Sequence, residues 1–123
     1  MKLQPVRNTD LYLFTGHGEG YVSINGKQHT RPLAVMGRTL QVNWLDGALN
    51  TLEESHFDCL LQLSPEIVLL GTGARQHFVH PGLYRKLTAA GIGVECMDTA
   101  AVCRTYNILI AEDRKVVAAV LMR

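Results

Sequence analysis

The strongest constraint in this chain lies between Ser64 and Arg123, where three apolar runs alternate with two helix-like segments. Glu66-Ile67-Val68-Leu69-Leu70 contains a short, continuously apolar run, the signature of a strand buried on both faces in a parallel sheet. It stops at Gly71-Thr72-Gly73, which reads as a turn. Pro81 suits the first position of a helix, because the N–H it lacks would have no partner there. That helix is expected to continue through Leu83, Leu87 and Ala90 and to end at Gly91. Ile92 to Met97 then reads as a second strand, Asp98-Thr99 as an N-cap for a helix from Ala100 to Ile110, and Lys115 to Met122 as a third strand. The order β-α-β-α-β predicts parallel strands joined by right-handed crossovers.

The first half reads as β. Asn25-Gly26 predicts a type I′ hairpin turn, because both central residues of that turn need positive φ. The hairpin is expected near residues 21 to 36. Pro32 falls within its second arm, which marks that arm as an edge strand or a bulged one, since proline has no N–H for a ladder. After Leu33-Ala34-Val35-Met36 and a turn at Gly37-Arg38, the alternation of Leu40, Val42 and Trp44 with Thr39, Gln41 and Asn43 predicts a further strand with one apolar face. Thr51-Leu52-Glu53-Glu54 has the form of a capping box and predicts a helix from about Thr51, burying Phe57, Leu60, Leu61 and Ser64. His56 and Cys59 lie beside that stripe as packing or surface residues. The expected fold is α/β of mixed α+β character: one compact domain over residues 1–123, with an N-terminal hairpin and meander packed with the C-terminal β-α-β-α-β portion.

Global properties exclude several classes of function. At 123 residues the chain can bury a core without metal or disulfide staples, and 47% hydrophobic with 19% charged residues is ordinary globular composition. A formal net charge of +1, with its basic residues scattered, gives no footprint for nucleic acid. No run approaches the ~20 apolar residues of a membrane span. Met1 to Asp10 has neither the apolar core of a secretory signal nor the Arg- and Ser-rich character of a transit peptide, so a cytoplasmic protein is expected. Cys59, Cys96 and Cys103 form no C-x-x-C pair, which fits free thiols in a reducing compartment.

Ligands of open α/β sheets collect beyond the carboxyl ends of the strands, at helix N-termini. That edge would gather Gly71, Thr72 and Gly73 with Asp98 and Thr99, a crevice suited to a small anion or carboxylate. The alternative is that the glycines only turn the chain and Asp98 only caps a helix. The third glycine of a dinucleotide loop is missing, Gln76 standing there, so no nucleotide cofactor is implied. Cys103 lies early in the last helix beside Arg104, as a reactive thiol or a packing residue without a base in sequence. Tyr106 and Asn107 suggest a hydrogen-bonded network, either structural or ligand-holding. His77 and His80 have no third metal ligand nearby, and Gly16-His17-Gly18-Glu19-Gly20 lacks the Lys-Ser/Thr ending of a phosphate loop, so it reads as a flexible turn before the hairpin. No catalytic set and no metal site are assigned.

Three stretches carry a family resemblance. They are residues 64–73, then Gly91-Ile92 leading to Val94 through Thr99, then Ala101 through Leu109 with Glu112-Asp113-Arg114. Together they resemble the Mth-type domain family, over residues 64 to about 121, with the first half similar only as a β region bearing the Asn-Gly turn. The resemblance implies a β portion and an α/β portion sharing one core. It also implies an assembly-factor-like, non-enzymatic module that works through an unknown protein partner. A small-molecule binder or enzyme using the crevice after Gly71 is the alternative. Where members of the family carry a glycine between the acid and the arginine, this chain has Asp113.

Overall fold

A computed structural model describes residues 11–45 and 49–122. Readings that concern the first ten residues therefore lie outside the described part. The Asn25-Gly26 turn forms as the sequence demands, with φ of 50° and 85°. It joins β2 (Tyr21–Ile24) to β3 (Lys27–His29), and β1 (Phe14–Gly18) pairs antiparallel with β2 on the other side. Gly16-His17-Gly18 is thus part of a strand, correcting the flexible turn expected there. Asn25 also holds the sheet's end: its Oδ1 accepts from Leu13 N–H at 2.9 Å and its Nδ2 donates to the Leu11 carbonyl at 3.0 Å.

The long second arm expected of the hairpin is broken at Pro32. β3 ends at His29, and β4 (Leu33–Met36) belongs to a different, five-stranded sheet ordered β5-β4-β8-β6-β7. Pro32 lies in no strand, and β4 is no edge: it pairs antiparallel with both β5 (Thr39–Val42) and β8 (Val116–Val120). Proline costs the ladder nothing in the connection, where no N–H is required. β5 stops at Val42, short of the expected Trp44. Asn43 turns the backbone at φ 56°, and the indole of Trp44 is buried, its N–H donating to the His56 carbonyl at 3.1 Å.

β6 (Ile67–Gly71) runs parallel to β8 and to β7 (Gly93–Met97). Its side chains alternate between two cores. Val68 and Leu70 face Phe57, Leu60 and Leu87, whereas Leu69 joins Phe14, Val102, Tyr106 and Ile110. β8 is buried along its whole length, which explains its small residues Ala118 and Ala119 between packed layers. Each fully buried Leu or Val contributes about 1.5–3 kcal/mol relative to exposure, so these two faces supply most of the driving force for the sheet. The cores share β4, β6 and β8, which makes the described residues one folding unit.

α1 (Glu54–Leu61) starts two to three residues later than expected. Its capping box uses Glu53, whose carboxylate accepts the His56 N–H, while His56 Nδ1 accepts the Glu53 N–H at 2.9 Å. Thr51 instead ends a 3-10 turn (Leu49–Thr51). Phe57 and Leu60 are buried as expected, but Ser64 is exposed with φ 53° and turns the chain out of the helix. The segment from Pro81 is a 3-10 turn (Pro81–Tyr84) followed by the short α2 (Arg85–Ala89), and Gly91 ends it at φ 81°. α3 (Thr99–Ala111) is capped by Asp98, whose Oδ1 accepts from Ala101 N–H at 2.8 Å. Asp113 takes the left-handed conformation at φ 66°, at the position where the family resemblance implied a glycine.

Candidate functional site

The parallel strands end where the β1–β2 turn folds over them, and a cavity of about 820 Å³ opens between the two sheets' ends. That volume lies within the range typical of small-ligand sites. Residues 17–21 form one wall, Gly73 and Ala74 another, and residues 98–100 with Met122 complete it. Gly20 turns the hairpin at φ 78°, and the ring of Tyr21 lies across Gly18, where a Cβ would collide with it.

Of the residues selected from sequence, Gly73, Asp98 and Thr99 line this cavity. The others lie elsewhere. Gly71 packs against α3, where a Cβ would stand 3.2 Å from Val102 Cγ2. Thr72 is fully buried and organises the following loop, its hydroxyl accepting from His77 N–H at 2.9 Å and donating to the Arg75 carbonyl at 2.8 Å. Cys103 is buried on the inner face of α3, and burial pushes its thiol up to about 11, which keeps it protonated at neutral pH. The neighbouring Arg104 charge does not overcome that desolvation.

Tyr106 and Asn107 bind the protein to itself. Asn107 pairs with both backbone groups of Phe14, accepting its N–H at 3.0 Å and donating to its carbonyl at 2.8 Å. The Tyr106 hydroxyl accepts from Gly37 N–H at 3.0 Å and donates to the Tyr12 carbonyl at 2.9 Å. Its ring meets Phe14 edge to face at 5.3 Å, and burial pushes the phenol up to about 12. These two side chains fasten α3 to the small sheet and to the β4–β5 turn. His80 caps the 3-10 turn, its Nδ1 accepting from Gly82 N–H at 2.9 Å. Among the described residues no cluster of three or more His, Cys, Asp or Glu is placed to hold a metal ion.

The residues that sequence reasoning missed are His17, Glu19 and Tyr21. The available signal was Glu19-Gly20 before a strand-forming tyrosine, a tight hairpin turn of its own. Among the described residues, formal charge on the lining comes from Glu19 and Asp98, with no Lys or Arg. The α3 terminus offers little to an anion, because Thr99 N–H donates to the Gly73 carbonyl at 2.8 Å and Ala101 N–H is taken by Asp98.

Fold and site together define a class: a mixed-sheet α/β domain whose last helix clamps a small antiparallel sheet over the ends of parallel strands. The chain belongs to the family described as "Protein of unknown function (DUF498/DUF598)", whose profile matches residues 14–121. A solved structure of a Bordetella pertussis protein described as a Mth938-like domain is 33% identical with a TM-score of 0.81, covering 98% of this chain and 92% of that one. The Bos taurus protein named NADH dehydrogenase [ubiquinone] 1 alpha subcomplex assembly factor 3 is 33% identical over 90% of this chain, which spans 60% of its length. A Francisella tularensis protein named 13 kDa major membrane protein is 29% identical over 94% of this chain and 95% of its own. Among the described residues no helix is long and apolar enough to cross a membrane.

Proposed function

We propose that this chain is a protein-interaction module of the assembly-factor kind and not an enzyme. The observation that carries this reading is its 33% identity, over 90% of its length, to a protein named as an assembly factor. The geometry supports it: Cys103 is buried and protonated, and the Tyr106 and Asn107 side chains are spent on holding sheets together. The docking surface proposed here is β5, which among the described residues is a border strand of the large sheet, and on which Val42 is 52% exposed. Border strands recruit partners through unpaired backbone groups, with exposed side chains setting specificity. The free state of Cys59, Cys96 and Cys103 supports action in a reducing, cytoplasmic compartment. A second reading, a small-molecule binder, rests on the cavity alone.

The test is affinity capture of the tagged chain from its native host, followed by size-exclusion chromatography with light scattering. A stoichiometric complex, lost on Gln41→Pro in β5, supports the proposal. A chain that elutes alone and turns over a small substrate overturns it.

A further inference from the structure

We propose that the cavity at the β1–β2 turn receives a lysine or arginine side chain of a partner polypeptide. This rests on the reading of the chain as a protein-interaction module and names the chemistry of the partner. The cavity, at about 820 Å³, has room for a long basic side chain together with its flanking backbone. Among the described residues, its formal charge is supplied by Glu19 and Asp98, and no Lys or Arg lines it. Two carboxylates lining one concave surface attract a cation and repel an acidic residue. The terminus of α3, the feature that would ordinarily favour an anion, is occupied internally by the Gly73 carbonyl and the Asp98 carboxylate. Tyr21 and Met122 provide an aromatic face and an apolar wall for the methylene stem, a combination that suits Lys and Arg. A small anion at this edge, the reading the sequence suggested, would face these two carboxylates.

Amide chemical-shift titration of the full chain tests the proposal, with acetyl-Gly-Lys-Gly-amide, its Arg and Glu counterparts, and n-butylammonium as probes. The Lys or Arg peptide should shift residues 17–21, 73–74 and 98–100 saturably, and the Glu peptide should not. The double variant Glu19→Gln with Asp98→Asn should weaken that binding about tenfold or more, the scale expected for removing two nearby charges. Asparagine caps a helix as well as aspartate does, so the variant should keep its fold, which its own spectrum reports. Equal response to the Glu peptide, no response to either basic peptide, response to n-butylammonium alone, or indifference to the double substitution each overturns the proposal. A captured partner whose binding ignores the double substitution removes this proposal while leaving the assembly reading intact. Basic-peptide binding in a chain that captures no partner sinks the assembly reading and leaves the cavity's preference standing.

Discussion

Asn107→Ala removes the side chain that joins α3 to β1, and its cost follows from the bonds it leaves unmade. Asn107 satisfies both the N–H and the carbonyl of Phe14, a residue only 6% exposed. Losing two hydrogen bonds costs about 1 kcal/mol each, and stranding two partly buried backbone groups adds about 1 kcal/mol or more. Roughly 3 kcal/mol is a large share of the ~5–15 kcal/mol that holds such a domain together, and it corresponds to a fall in Tm of about 10 °C. Urea denaturation followed by the fluorescence of Trp44, the chain's one tryptophan, measures it. Hydrogen exchange should accelerate along β1 and β2 more than along β6 and β8. Asn107→Asp gives a sharper control: it keeps an acceptor for Phe14 N–H but sets a carboxylate against the Phe14 carbonyl. The protonated acid can donate there, so folding raises that group's pKa and the variant should regain stability as pH falls. A loss below about 0.5 kcal/mol in Asn107→Ala, or an Asp variant indifferent to pH, would refute the clamp.

Four further outcomes follow from the same geometry. Tyr106→Phe should destabilise by about 1–3 kcal/mol by freeing Gly37 N–H and the Tyr12 carbonyl, measured by the same denaturation. Because the native phenol is raised to about 12, its stabilising contribution is complete below pH ~10 and is lost as pH rises toward 12, and ultraviolet titration should show a late-ionising tyrosine that Tyr106→Phe removes. A thiol reagent at pH 8 should label exposed Cys59 at once and Cys103 only as the fold opens; equal rates for both would contradict its burial. Gly20→Ala forces a side chain into φ 78° and should cost about 1 kcal/mol by urea denaturation, whereas a stabilised variant would mean the turn is not left-handed.

Elements with local signals were legible in the sequence. The apolar run at Ile67 to Leu70, the Asn25-Gly26 turn, the Asp98 cap and Gly91 each encode their geometry within a few residues, and the β-α-β-α-β order followed from them. What depended on distant partners was not legible. Only pairing with β8 makes β4 an inner strand, and nothing near Pro32 announces it. The Glu53–His56 capping box was hidden because histidine is not the usual reciprocal partner. Gly16 and Gly18 in β1 carry no side chains from which alternation can be read. Of the residues the strand-end rule selected, Gly73, Asp98 and Thr99 line the cavity. Cys103 and Tyr106 belong instead to the buried stripe Val102, Cys103, Tyr106 and Ile110, a helical spacing visible in the sequence. Asn107 sits beside that stripe, and its role depends on where β1 lies across the fold.

Native mass spectrometry of the tagged chain purified gently from its own host addresses the central claim most directly. An assembly-type module should appear with a second polypeptide at a fixed integer ratio, and Gln41→Pro in β5 should remove that species while the variant chain remains folded. A bare chain from the same preparation, active on a small substrate, would contradict it.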